Sequence, residues 1–389
     1  MPPEQTVLRD AAAIAGIGHT EFVKDIGRPE RTIALEAITA ALNDAGLSAS
    51  DVDGLVKFTM EPTVEVEIAR NLGVPNLRYF GEVGYGGGAA CGAIGHAAMA
   101  IATGVADCVV VWRARNRGSG GRPWAMKSNK ERGDFQWFLP WGLSRPVDQI
   151  AMLARRHMIE LGSTQEQLGH VAVTFREHAQ NNPYALMRGK PVTLEDYFAA
   201  RWVSEPLRLF DCCLETDGAL AVVMVSAERA RSLAKPPVLV RAAAQGTGPD
   251  HLVMANYFNE NPLESPAKFA AEDLWRLAGM SPDEIDCAQF YDAFSPLVVI
   301  SLEEYGFVKP GEGGPFAADG ELRVDGGRLP SNTAGGCLSE AYVHGMNLVL
   351  EGVRQIRGES VNQLDRCETV LVTSGNGVPT SALVLRSDS

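Results

Sequence analysis

The chain has 389 residues, 46% of them hydrophobic, enough for two or more domains of ordinary size and a large packed core. A formal net charge of -13 excludes nucleic acid and an anionic membrane as main partners, though a local cationic patch can still meet an anionic ligand. Seven cysteines without a CxxC pair exclude a zinc ribbon and a disulfide framework, and no apolar run is long enough to span a membrane. Reduced thiols and a first stretch without a basic-then-apolar leader lead us to expect a soluble, cytoplasmic protein.

In chain order, residues 11–18 read as a strand. A helix follows with Leu35, Ile38, Leu42 and Ala45 on one face, closed by Gly46. A Ser/Asp-rich turn then leads into a short strand ending at Phe58. The glycine run 84–88 precedes a small-residue helix from Cys91 to Gly104 and the strand ADCVVVW. It is not a dinucleotide fingerprint, because Asp107 begins a strand where a ribose-binding acid would end one. No Lys-Ser/Thr pair follows, so it is not a P-loop either. Two readings remain: helix amides that suit an anion or a thioester oxygen, or tight packing alone. From about 113 to 209 the chain is rich in Trp, Arg and Gly and reads as an inserted loop domain. Its Arg113, Arg115, Arg117 and Arg122 form either a cationic patch for an anion such as coenzyme A or a solvated loop. DCCLETDGALAVVMVSA returns the chain to the sheet.

The second half repeats the first. Residues 236–244 read as a strand and 267–278 as a helix with Ala270, Leu274 and Leu277 on one face. AGMSPDEID at 278–286 matches AGLSASDVD at 45–53. A helix around Tyr342 to Arg357 precedes a strand at 369–375. The halves are 1–235 and 236–389, and alternation of strand and helix predicts a mostly parallel sheet covered on both faces. YDAFS (291–295) follows a strand directly, so Asp292 lies either in the ligand crevice of the sheet or at a helix cap. NTAGGCLSEAYVHG (332–345) gathers Glu340, Tyr342 and His344 in apolar surroundings. In TSGNGVP (373–379), Gly375 and Gly377 permit close backbone approach to a ligand or make a plain hairpin. HExxH, GxSxG and clustered metal ligands are missing, so no metal is expected.

Together AGIGHTEF (15–22), GHAAMAIATGVADCVVV, LFDCCLETDGALAVVMVSAERA, YDAFS and NTAGGCLSEAYVHGMN resemble the thiolase superfamily, in its sterol-carrier-protein thiolase-like branch. The resemblance is nearest to the actinobacterial steroid side-chain-cleaving aldolases. It implies an α/β fold of five layers, α-β-α-β-α, from two pseudo-repeated halves with the inserted loop domain, and a homodimer. It also implies four departures. Gly87 stands where the nucleophilic cysteine belongs, with Cys91 a helical turn later. Tyr342 replaces the catalytic histidine, with Gly345 closing its motif. Tyr291 replaces the Asn or His of the facing motif, and Thr373 or Ser374 replaces the second cysteine.

Without a thiolate no acyl-enzyme forms, so the chemistry implied is retro-aldol cleavage of a β-hydroxyacyl-CoA. In this family the substrate is a 17-hydroxy steroid with a CoA-thioester side chain, and the products are propionyl-CoA and a 17-ketosteroid. Tyr291 and Tyr342 are the expected proton-transfer groups, helped by His344 and Asp292. Gly87, Asn332, Gly335, Gly375 and Asn376 are the expected substrate contacts. A separate OB-fold partner with a zinc ribbon would complete a heterotetramer, zinc lying in that partner and no cofactor in this chain. The rival readings are a non-catalytic acyl-CoA or sterol carrier and a degenerate thiolase using Cys91.

Overall fold

Uncharged runs of Ala, Val and Leu make strands buried on both faces, and their partners fix the architecture. The computed structural model describes residues 7–120, 135–249, 259–376 and 379–388. Its strands are β1 (Ala12–His19), β2 (Gly54–Phe58), β3 (Tyr79–Val83), β4 (Cys108–Asn116), β5 (Trp202–Ser204), β6 (Leu207–Arg208), β7 (Asp217–Ser226), β8 (Val238–Gly246), β9 (Cys287–Gln289), β10 (Thr369–Ser374) and β11 (Thr380–Ser387). Nine of them pair in the order β3-β2-β4-β7-β1-β8-β11-β10-β9, while β5 and β6 form a separate ribbon.

The predicted mostly parallel sheet is not what forms. Only β2 with β3, β2 with β4, and β9 with β10 run parallel; the other neighbours are antiparallel. The physical reason is local. β10 and β11 are joined by too few residues for a crossover, so they close as a hairpin. From the centre outward the two sides match, β1-β7-β4-β2 with β8-β11-β10-β9, β3 being an extra edge strand, and β1 and β8 meet through Ala13–Leu239 and Ile14–Val238.

Helices α1 (Glu30–Ala45) and α2 (Glu65–Leu72) belong to the first half, and α3 (Ala89–Ala102) enters between the two half-sheets. α1 covers β1, β4 and β7 from outside. Its approach is close: a Cβ on Gly16 would lie 2.1 Å from the Ala41 carbonyl oxygen, and one on Gly18 would lie 2.3 Å from that of Ala37. α3 touches β2, β4 and β7 on one side and β8, β10 and β11 on the other. Its Ala- and Gly-rich sequence permits that double burial.

The insertion begins after Asn116, since β4 runs past the predicted break at about 113. It supplies α4 (Phe135–Phe138), α5 (Pro146–Leu161), α6 (Gln165–Asn181) and α7 (Leu194–Ala199). After α8 (Ala227–Ala230), α9 (Pro266–Ala278) covers β8 and β11 from outside. α10 (Ser295–Glu304), α11 (Gly313–Ala318) and α12 (Gly336–Ser339) lead to α13 (Met346–Arg357), which joins α3 in the middle. The layers are therefore α1, half-sheet, α3 with α13, half-sheet, α9. Among the described residues no helix is long and apolar enough to cross a membrane.

Candidate active site

Two tyrosines from separate loops meet inside the fold. β9 stops at Gln289, and Phe290 and Tyr291 continue as buried chain held at both ends. The Asn332 side chain accepts from Phe290 N at 2.7 Å and donates to Phe290 O at 2.9 Å. Tyr291 N donates to Thr373 Oγ1 at 2.8 Å. Tyr342 follows α12, and its N–H donates to Thr216 Oγ1 at 3.2 Å. The two phenol oxygens lie 2.7 Å apart, and the residues are 5% and 7% exposed.

The Tyr291 ring lies between two glycines. A Cβ on Gly87 would lie 2.0 Å from Tyr291 Oη, and one on Gly345 would lie 2.9 Å from Tyr291 Cδ2. The volume that a side chain at position 87 would need is filled by the phenol. Burial pushes both phenols above their ordinary value. Tyr342 itself adds to the rise at Tyr291, while at Tyr342 Cys213 adds to it and Arg117 opposes it.

His344 and Asp292 do not join the pair in the expected way. His344 packs edge-on against Tyr342, ring centroids 5.3 Å apart, with φ at 54°. Its Nδ1 accepts from Arg113 Nη2 at 2.7 Å and Arg113 Nε at 3.1 Å, and its Nε2 lies 3.2 Å from Arg117 Nη1. Burial and the two guanidiniums hold the imidazole well below its usual range, so it stays neutral and spaces two cations. Asp292 caps a helix, though not the one that follows it in sequence. Its carboxylate accepts from Cys337 N at 2.7 Å and Leu338 N at 3.1 Å, pinning α12 and so the loop that carries Tyr342. Burial pushes its carboxyl up to about 6.

The predicted substrate contacts face other work. Asn332 is committed to the Phe290 backbone. Gly335 turns with φ at 106°, where a Cβ would strike Ala179 of α6 at 2.6 Å. Asn376 is buried and donates to Ser301 Oγ at 3.0 Å, while Gly375, φ 72°, begins the turn after β10. Two amides at the start of α3 are also occupied: Cys91 N donates to Ser374 Oγ and Gly92 N to Ser381 Oγ.

Cys91 is fully buried, its thiol donating to Val372 O at 3.4 Å, and burial pushes it up to about 12. Burial likewise raises Cys213 and Cys337 beside the tyrosines. A thiol so placed is a poor nucleophile at neutral pH. Cys91→Ala is therefore expected to keep kcat within about threefold, measured by thioester turnover; loss of all turnover would revive the thiolase reading.

The cationic patch also differs from the expectation. Arg113 is wholly buried, 3.3 Å from Glu61, and Arg117 pairs with Glu215 at 2.8 Å; Arg122 lies outside the described residues. The cations Lys24, Arg145, Arg176, Lys190 and Arg201 instead line a cleft of ≈ 720 Å³ whose wall also includes Asp196, Glu215, Phe210, Cys213, Phe294 and Leu338. Cys213 links this wall to the pair, acting on both phenols. Sequence reading missed this site because its cations are dispersed; the one signal was that four of the five fall inside the predicted insertion.

Residues 249–385 match a family model described as "Thiolase C-terminal domain-like". The chain is 50% identical to a steroid side-chain-cleaving aldolase of Thermomonospora curvata, over 98% of this chain and all of that protein. It is also 50% identical to the 17-hydroxy-3-oxo-4-pregnene-20-carboxyl-CoA lyase of Mycobacterium tuberculosis, over 97% of this chain and all of that one. The chain belongs to the thiolase superfamily. Within it, the chain sits in the branch of the steroid side-chain-cleaving aldolases. The solved structure of an Ltp2-ChsH2(DUF35) aldolase superposes with a TM-score of 0.94 at 50% identity, covering 98% of this chain and 99% of that one. Human mitochondrial 3-ketoacyl-CoA thiolase, at 13% identity and a TM-score of 0.70, covers 99% of this chain and all of its own and shares the thiolase fold.

Proposed function

We propose that this thiolase-superfamily chain catalyses retro-aldol cleavage of a β-hydroxyacyl-CoA, a 17-hydroxy steroid with a CoA-thioester side chain. The products are propionyl-CoA and a 17-ketosteroid. The carrying observation is the buried phenol pair, 2.7 Å apart, backed by a glycine where a thiolase nucleophile would stand. The identity to two aldolases of this class supports the same reading.

Cleavage needs one group to take the β-hydroxyl proton as the Cα–Cβ bond breaks and another to return a proton to the α-carbon. The electron pair of the broken bond passes into the thioester as an enolate, so no acyl group is transferred to the enzyme. Two hydrogen-bonded phenols supply both functions and can exchange the proton between them. Their burial keeps water from quenching the enolate out of turn. Asp292 and Asn332 act as positioning residues, fixing the two loops.

The cleft cations suit the phosphates of coenzyme A. Lys190→Glu with Arg201→Glu is expected to raise KM for the thioester about tenfold at low salt with little change in kcat, the effect fading as salt rises. Assembly follows the same reading: a homodimer of this chain with a separate zinc-ribbon partner, in line with the heteromeric Ltp2-ChsH2(DUF35) relative. The test is to incubate the chain and that partner with the steroid thioester and to follow ketone and shortened thioester together. Tight binding without ketone would favour a carrier.

A further inference from the structure

Arg117 is a buried cation that the cleavage scheme above leaves unused. It is 7% exposed, and its guanidinium carbon lies 5.2 Å from the centre of the Tyr342 ring. Nε donates to Glu215 Oε2 at 2.8 Å, and Nη1 lies 3.2 Å from His344 Nε2. The chain around it is clamped too. Gly118 N and Ser119 N donate to Asp217 Oδ1 at 2.6 and 3.0 Å, and Ser119 Oγ donates to Asp217 Oδ2 at 2.6 Å. Burying a cation is unfavourable unless its partners compensate, and here they also fix its direction.

The surroundings of the two phenols are unequal. Around Tyr342 stand Arg117 from the loop after β4, Cys213 from the segment before β7, Cys337 from α12, Tyr291 from the end of β9, and the neutral His344. Glu215 acts through Arg117. The principal groups acting on Tyr291 are Tyr342, Cys337 and Cys213, none of them cationic.

We propose that Arg117 sets the direction of proton flow: Tyr342 becomes the phenolate that takes the substrate hydroxyl proton, and Tyr291 is the phenol that protonates the α-carbon. The inference rests on the retro-aldol reading. The proton balance closes. The β-hydroxyl proton passes to Tyr342 Oη, the Cα–Cβ pair becomes the enolate, and Tyr291 Oη gives its proton to Cα. The proton on Tyr342 then crosses the 2.7 Å bond to Tyr291, which restores the phenolate beside Arg117. The 5.2 Å runs to the ring centre and Glu215 tempers the charge, so at an effective dielectric of about 20 the cation moves the phenol's equilibrium by roughly two pH units at most. Arg117 is thus a positioning residue, acting through Tyr342.

The experiment uses the chain assembled with its partner and the steroid thioester, with kcat and KM measured across pH. Below the ionisation of the base, kcat climbs with pH. Arg117→Gln should lower that limb by about 10² with KM within about twofold, Arg117→Lys should recover at least about tenfold of the loss, and Glu215→Gln should raise the limb. In a Tyr342→Phe background, Arg117→Gln should have no further effect on kcat. An effect on KM alone, a lysine no better than glutamine, a Glu215→Gln limb that falls, or a full loss repeated in the Phe background would each overturn the role of Arg117. If Arg117→Gln does not fold, the lysine and Glu215 variants decide. Wild-type enzyme that releases no ketone would instead overturn the retro-aldol reading, and this inference with it.

Discussion

Tyr342→Phe is expected to lower kcat for thioester cleavage by about 10²–10⁴, with KM and melting temperature close to wild type. The substitution removes one oxygen and leaves the ring, so packing against His344 and below Arg117 persists. What disappears is one end of the 2.7 Å phenol bond. Tyr291→Phe should act similarly, because among the described residues each phenol is hydrogen-bonded to the other, and either substitution breaks that proton path. The double variant should be little worse than either single one, since two groups that act as one unit do not contribute additively. A full kcat in both single variants would remove the pair from the chemistry.

Gly87→Ala should damage both stability and turnover, which is unusual for the addition of one methyl group. The new Cβ would lie 2.0 Å from Tyr291 Oη and 2.5 Å from Cζ, so the ring must leave its slot. Gly345 closes the opposite side at 2.9 Å, which leaves the ring little room to retreat. Overpacking of this kind costs about 1–3 kcal/mol, and displacing the phenol should lower kcat by at least about 10². In a Tyr291→Ala background the stability penalty should largely vanish, a coupling readable from thermal melts. Gly87→Cys should likewise fail to restore thiolase activity while Tyr291 is present, because sulfur and phenol compete for one volume. An equal penalty in both backgrounds would place the clash elsewhere.

Much of this arrangement was legible in the sequence, and the failures have physical causes. The position of Gly87, counted back from Ala106-Asp107-Cys108, and the two tyrosines were readable because motif spacing along strand and helix is rigid. The meeting of residues 291 and 342 followed from the family's facing motifs. Strand direction was misread, since alternating strand and helix segments suggested crossovers and the short β10–β11 link was not given its due. The duties of His344, Asp292 and Asn332 were invisible because each is set by partners far along the chain: Arg113 and Arg117, the amides of α12, and the Phe290 backbone. The arginine run at 113–117 looked like a ligand patch because sequence shows charge and hides burial. Arg113 is instead sealed against Glu61, and the cations that line the cleft come from five separated positions.

Cleavage by the phenol pair requires the scissile bond to be seated at the two phenols. A crystal structure of the Tyr342→Phe chain with its partner and intact steroid thioester measures this directly. Tyr291 Oη is expected about 3–3.5 Å from the α-carbon, with the β-hydroxyl against the edge of the residue 342 ring. A scissile bond well out of reach of both rings, with the sulfur of Cys91 or Cys213 against the thioester carbon, would contradict it.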